Sequence, residues 1–440
     1  MKKKIFTMFD YLLILLSALL ILFGILFIYS SNINSNGDLV SNEHSKQTIW
    51  AAVSFVIMIF FTIYDYRKFE NMSKFLYAIA IFLLVAVLIP KIGIKVKGAR
   101  SWLGIGPVRF QPAEVCKILF ILFLAYYLNN SKEEQPLKRF IIATLIMLFP
   151  VGLILLQSDM GSATVYIPIY LVMCLFAGIP VKMILYVLSF GLLSVFFACL
   201  PLWNNYIAKT PLRLISILTI TKFRVILILA TGLIAIMGII VRRYFHGPKW
   251  SYWVTYVASI FNFSLIASYV LSKILQDHQI WRLIIFMDPN VSPDKYGWNI
   301  IQSKIAIGAG GLFGKSYLHG TQSHGRFLPE QSTDFIFSIL SEEWGFLGSI
   351  LVFTIYLSIF LRILYIIKHT NSNYGVYVAS GILALFAYHF FINIGTVMGI
   401  TPVIGIPIFF LSYGGSSLIT AMISIGIIQS INCRRKELNK

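Results

Sequence analysis

Charge is what this sequence has least of. Only 12% of its 440 residues are charged and just 17 are acidic, which excludes an ordinary soluble domain, where about a quarter of the residues carry charge. Cysteine is nearly as scarce. Cys116, Cys174, Cys199 and Cys433 lie in or beside apolar runs without C-x-x-C spacing, so they form neither a disulfide framework nor a metal site and read as small core residues. No internal repeat, heptad array or low-complexity tail occurs, and no soluble domain stands at either end. A single membrane domain over 1–440 is the simplest division.

What the chain has in abundance is apolar sequence. Hydrophobic residues make up 58% and mean hydropathy is +0.81. Runs of about 17 to 25 apolar residues recur, each able to cross roughly 30 Å of hydrocarbon at 1.5 Å per residue. They are continuous rather than alternating, which excludes a membrane β-barrel. Hydropathy places spans near 11–29, 48–65, 74–90, 113–128, 140–156, 162–178, 183–202, 222–241, 253–275, 345–367, 376–395 and 410–431. The fold class expected is therefore an all-α polytopic membrane protein of about 10–12 transmembrane helices with a large extracytoplasmic loop. The first run follows a basic MKKK start but lacks a small-residue cleavage pattern, so it reads as a retained span.

The net charge of +19 comes from basic residues scattered through short loops, which suits anionic lipid and not nucleic acid. The MKKK start, Arg67-Lys68, Lys132, Lys138-Arg139, Arg242-Arg243, Lys368 and Arg434-Arg435-Lys436 fall on one side if the N-terminus is inside. Both termini are then cytoplasmic. The same count puts four unusual segments outside: Lys91–Gln111, Gln157–Gly161, Arg282–Gly345 and Gly395–Pro407.

These outer segments carry the chemistry. The first reads KIGIKVKGARSWLGIGPVRFQPAEVCK; Lys95, Lys97, Arg100 and Arg109 defy the charge rule there, as a phosphate-bearing ligand at the outer surface would require. Trp102 suits an interface, and Gln111-Pro112-Ala113-Glu114 is a helix start with an acid in its first turn. Asp159, in LLQSDMGSA, is either a rim carboxylate or a helix N-cap. The long loop gathers Asp288, Asp294, Lys304, Lys315, His319, His324, Arg326, Glu330, Asp334, Glu342 and Glu343. His319 and His324 lack a third ligand at metal-site spacing, which argues against zinc. GAGGLFGKS ends like a nucleotide loop, but Ala309 stands where its first glycine belongs and no soluble α/β unit surrounds it. Glu342 and Glu343 are expected to cap the next helix and to bind basic loop residues. Asn393, Pro402, Gly405, Pro407 and the run Ser412-Tyr413-Gly414-Gly415-Ser416-Ser417 form a broken helix entry, read either as cavity lining or as close helix packing.

With these segments in view, the chain resembles the SEDS family (shape, elongation, division and sporulation proteins), in its RodA branch rather than its division branch. GARSWLGIGPVRFQPAEVCK, LLQSDMGSA, GWNIIQSKIAIGAGGLFGKSYLHGTQSHGRFLPEQSTDFIFSILSEEWGFLG and NIGTVMGITPVIGIPIFFLSYGGSSLI carry the likeness. The resemblance implies a peptidoglycan glycosyltransferase of the bacterial cytoplasmic membrane that polymerises lipid II on the outer face during cell elongation. It would be partnered by a class B penicillin-binding protein and other elongation-complex membrane proteins, with Mg or Mn as a conceivable divalent cofactor. An aspartate in the large loop (279–344) would take the proton of the acceptor sugar's 4-hydroxyl, a role suited to a partly buried carboxylate. Cations would meet the leaving pyrophosphate; Arg100, Arg109, Lys117, Lys304 and Lys315 are candidates. Lys97, Trp102, Gln111, Glu114, Asp159, Gln302, Ser303, Gln322, Glu330, Asp334, Glu343, Ser412 and Tyr413 complete the substrate-binding set that the resemblance implies.

The chain departs from the family twice. The usual D-P-x-x-D-P register places Ser292 in the catalytic slot, so that Asp294, Asp288 or no residue serves as base; a loop shifts by two residues more easily than serine acts as a base, and Asp294 is expected. The stretch 203–252 reads as an insertion with an extra span, giving about twelve spans against the family's ten or so. Two other readings remain open. A lipid II flippase would need a charged path through the spans, whereas the charges cluster at one rim, and Ser292 keeps an inactive scaffold in play.

Overall fold

The computed structural model describes residues 9–96, 98–105, 108–208, 210, 220–244, 248–274 and 277–435. The MKKK start, Lys97, Lys436 and parts of 203–252 lie outside the described residues. The helices are α1 (Tyr11–Ser31), α2 (Glu43–Ile63), α3 (Arg67–Leu88), α4 (Pro112–Asn130), α5 (Pro136–Leu156), α6 (Met160–Thr164), α7 (Tyr166–Phe176), α8 (Val181–Tyr206), α9 (Thr221–Tyr244), α10 (Lys249–Ile274), α11 (Asp277–Met287), α12 (Trp298–Gly310), α13 (Thr321–His324), α14 (Ile336–Lys368), α15 (Asn373–Met398) and α16 (Gly415–Arg434). Among the described residues eleven helices are long and apolar enough to cross a membrane. The chain is a multi-pass membrane protein.

The span expected at 162–178 is the apolar helical stretch Met160–Phe176, divided at Val165 into α6 and α7. Pro168, in the first turn of α7, has no N–H to donate to the carbonyl of Thr164, so one bond of the ladder is missing while Val165 keeps helical dihedrals. The longest helix is broken. In α14 Gly345 takes φ 64°, ψ −158°, which divides it into an arm, residues 336–344, and a longer segment. The turn after the kink would lose its backbone partners. It finds them in the glycine-rich run: Phe346 N–H donates to Gly311 O at 2.9 Å and Leu347 N–H to Leu312 O at 3.2 Å. A Cβ on Gly314 would lie 2.1 Å from Glu343 O, so the glycines of GAGGLFGKS serve backbone-to-backbone packing.

The chain packs as two units, residues 1–179 with 302–440, and residues 180–301. In the first, α16 is central: 94% of its apolar window is buried. Small residues let its neighbours close in, as membrane helices require in the absence of a hydrophobic drive. A Cβ on Gly426 would meet Met58 O at 2.7 Å. Large apolar side chains such as Val56 and Phe82 point outward, where lipid would cover them.

The segment that carries Lys95, Arg100, Trp102 and Arg109 is a three-stranded antiparallel sheet, β1 (Ile94–Val96), β2 (Ala99–Ile105) and β3 (Val108–Phe110). Gly98, at φ +91°, makes the first turn. The second unit layers α8 against α10 and α10 against α9. Asn262 Nδ2 donates to Ile228 O at 2.6 Å, and the Tyr186 hydroxyl to Ser259 Oγ at 3.1 Å.

Candidate active site

In the first unit, parts of the four segments 91–111, 157–161, 302–345 and 395–407 come together. Strand β3 leads into Gln111, whose backbone N–H donates to Ser416 Oγ at 3.1 Å and whose Nε2 donates to Asp159 Oδ2 at 2.8 Å. Asp159 also caps α6, accepting from Ser162 N at 3.0 Å and Ser162 Oγ at 2.9 Å. It is therefore a helix cap that also ties α6 to Gln111. The sheet is tied to the same corner by Arg100 N–H donating to Gln157 O at 3.1 Å; the Arg100 guanidinium reaches Leu88 O at 3.4 Å. Arg109 is exposed.

One turn into α4 lies a buried charged cluster. Lys117 Nζ is 2.7 Å from Glu114 Oε1 and 3.2 Å from His389 Nε2. His389 Nδ1 lies 2.8 Å from Pro407 O, which assigns the ring proton to Nδ1 and leaves Nε2 as acceptor for the ammonium. Lys117 is fully buried beside the Phe409 ring. Its ammonium is committed to Glu114 and His389, so the diphosphate contact expected of it is not made from an open surface. Glu114 Oε2 has no hydrogen-bond partner among the described residues.

The loop after α15 is held from both sides. Tyr413 N–H donates to Ser332 O at 2.9 Å, and Ser412 Oγ donates to Thr333 O at 2.5 Å. Asn393 Nδ2 bridges Asp334 O and Ile406 O, each at 2.9 Å, while Gln47 Nε2 donates to Ser412 O at 3.2 Å. Asp334 thus lies beside Gly405. Ser303 is buried and donates to Val397 O at 2.7 Å; Gln302 is buried, Lys304 and Glu330 are exposed. Gln47, Ser162 and His389 escape a sequence reading. The available signal was a polar side chain inside an otherwise apolar helix.

Glu342 and Glu343 do not cap their own helix, which starts at Ile336, but lie within its arm. Glu342 is wholly buried and caps α13 instead. It accepts from Thr321 N at 2.8 Å, Gln322 N at 2.9 Å and Ser323 N at 3.3 Å, and pairs with Lys315 Nζ at 3.1 Å. Glu343 takes the Ser30 hydroxyl, with His324 Nε2 at 3.9 Å. Burial lowers the His324 pKa below the usual imidazole value, opposed by Glu342 and helped by His319. Burial, with Glu343 nearby, pushes the Tyr317 phenol up to about 12. At neutral pH His324 is therefore a neutral neighbour of Glu343, not its ionic partner.

The second unit carries the aspartate loop. Asp288 is half-buried and Asp294 exposed; the partial burial expected of the base is met at Asp288 and not at Asp294. Asp288 Oδ1 accepts from Asn290 N at 2.9 Å and Asn290 Nδ2 at 3.1 Å, starting the short 3₁₀ turn Pro289–Val291. Gly297 N–H donates to Ser292 O at 2.8 Å. A Cβ on Gly297 would lie 2.1 Å from Pro289 O, so only glycine closes this loop. Tyr296 stacks on Trp281 with centroids 5.0 Å apart and planes 8° off parallel, which fixes the loop to α11.

Compared with known proteins, the chain matches the cell cycle protein family FtsW/RodA/SpoVE over residues 10–210 and 203–437. The chain belongs to that family. Among FtsW/RodA/SpoVE relatives, it is 46% identical to the peptidoglycan glycosyltransferase RodA of Treponema pallidum, over 97% of this chain and 98% of that one. It is 34% identical to the peptidoglycan glycosyltransferase MrdB of Escherichia coli K12, over 88% and 85%. A chain of a solved peptidoglycan synthase complex shares its fold at TM-score 0.66 and 22% identity, covering 98% and 99%. RodA of Thermus thermophilus does so at 0.60 and 20%, covering 98% of both. The FtsW/RodA/SpoVE fold therefore extends over nearly the whole chain.

Proposed function

We propose that this protein is a peptidoglycan glycosyltransferase that polymerises lipid II during cell elongation. The observation that carries this reading is the near-full-length relationship to RodA and MrdB, both peptidoglycan glycosyltransferases. In the reaction, the acceptor sugar's 4-hydroxyl oxygen attacks the donor's anomeric carbon, the C–O bond to the polyprenyl diphosphate breaks, and the hydroxyl proton passes to a carboxylate. Asp294 is the proposed base. Among the described residues it makes no hydrogen bond or ion pair, so its lone pairs are free, whereas Asp288 spends one oxygen on Asn290. Asp288 then positions the loop. The leaving diphosphate needs cationic partners, and the exposed Arg109 and Lys304 are open to such a ligand.

Both termini are placed in the cytoplasm and the 279–344 loop outside, on the distribution of basic loops. A class B penicillin-binding protein and other elongation-complex membrane proteins are the proposed partners; the structural likeness to a chain of a peptidoglycan synthase complex supports the first. Among the described residues no three His, Cys, Asp or Glu side chains gather. These residues offer a resident Mg or Mn no protein cage, and no step is assigned to one.

The test is polymerisation of labelled lipid II by the purified protein with its cognate transpeptidase. Asp294→Asn should lose about 10²- to 10⁴-fold and Asp288→Asn, which keeps the turn, much less. Full activity in both variants removes these residues from the mechanism. Ser292 in the catalytic slot favours one second reading, an inactive scaffold, which a wild type without activity would support.

A further inference from the structure

At one end of the α8–α9–α10 layer, cations converge without a counter-charge. The Arg242 guanidinium lies 4.8 Å from the Tyr252 ring centroid. Lys182 Nζ lies 5.6 Å from the same ring and 5.3 Å from that of Trp253. Arg242, Arg243 and Tyr252 line a cleft of about 460 Å³ between α9 and α10, and Lys182 stands beside it across the Tyr252 ring. From Pro180 to Ile274 the sequence holds no Asp or Glu, and roughly 33 Å of helix separates Tyr252 from Ile274. No carboxylate of these helices can balance the cluster.

The cleft is built rather than incidental. A Cβ on Gly238 would lie 2.0 Å from Thr255 Oγ1, so the two helices touch one turn from the arginines and give the cleft a floor. The Tyr256 hydroxyl donates to Lys182 O at 2.6 Å, holding the start of α8 beside it. Trp253 is half-exposed, as an aromatic at headgroup depth should be. Two cations on one ring repel each other, and an anion between them removes that cost.

We propose that this cleft binds the phosphate group of an anionic membrane lipid, its oxygens accepting from Arg242, Arg243 and Lys182. The ligand lies at the membrane boundary because α9 and α10 are both apolar enough to span. With the orientation proposed above, the leaflet is the cytoplasmic one. The inference is independent of the reaction at the aspartate loop.

The test uses the full-length protein in detergent, with bound lipid read by native mass spectrometry. Phosphatidylglycerol should be retained at least about tenfold better than phosphatidylcholine. Each removed cation should weaken retention about fivefold, so a Lys182→Gln, Arg242→Gln, Arg243→Gln variant loses on the order of a hundredfold. A charge-matched Arg224→Gln, Lys273→Gln control at the opposite helix ends should change it less than about twofold. If the triple variant does not fold, Lys182→Gln alone, at an exposed side chain, still reads the fivefold loss. Equal retention of the two lipids, unchanged retention in the variants, or displacement by millimolar inorganic phosphate, which would assign the cleft to a soluble ligand, overturns the proposal.

Discussion

Replacing Glu342 by alanine should release the loop between α12 and α14 without unfolding the bundle. The carboxylate is wholly buried and holds Thr321 N at 2.8 Å, Gln322 N at 2.9 Å and the Lys315 ammonium at 3.1 Å. Hydrogen bonds to a charged group contribute about 1.5–3 kcal/mol each, and breaking a buried pair costs about 3–5 kcal/mol because the partner stays uncompensated. Lys315 is partly exposed and recovers hydration, so about 3 kcal/mol is the net local loss. That corresponds to amide exchange at Thr321, Gln322 and Ser323 faster by roughly a hundredfold or somewhat more. Glu342→Gln keeps one acceptor oxygen and should give about a tenfold acceleration. Hydrogen exchange read by mass spectrometry on the protein in nanodiscs measures both, with amides of α2 as internal control. Exchange at those three amides within about twofold of wild type would show that Glu342 does not hold the loop.

The His324 pKa is lowered in the fold, so at this imidazole the unfolded loop binds more protons and its own contribution to stability rises with pH through the imidazole range. Compared with His324→Gln at each pH, wild-type protection of residues 316–326 should be equal above about pH 7 and fall behind as pH drops through about 6.5. Asp159→Ala removes the cap of α6 and the Gln111 contact and should cost about 1–2 kcal/mol in thermal stability, whereas Asp159→Asn should cost far less. Gly426→Val places carbons against Met58 O and Phe61 Cβ and should destabilise by about 1–3 kcal/mol in a thermal melt. A cysteine at Asp294 should be labelled by a membrane-impermeant maleimide in intact cells and one at Arg435 should not; the reverse pattern would invert the proposed topology.

The spans were legible because membrane crossing is a one-dimensional requirement: enough consecutive apolar residues, whatever their partners. The departure from that reading has a local cause, Gly345 at the kink in α14. The sheet within 94–110 was hidden because its strands are short and the first pairing depends on a turn at Gly98. The glycines of GAGGLFGKS were visible but not their use, since a residue without a side chain does not announce which backbone it will meet.

By itself the sequence determined that the chain spans a membrane many times, that its polar chemistry sits in a few segments between the spans, and that it resembles one family. Only the tertiary structure decided which polar groups satisfy one another: Asp159 with Gln111, Lys117 with Glu114 and His389, Glu342 with the start of α13. The reason is physical. Hydropathy is a property of each segment alone, whereas a buried charge is stabilised by partners from distant parts of the chain, and those meet only when the helices pack.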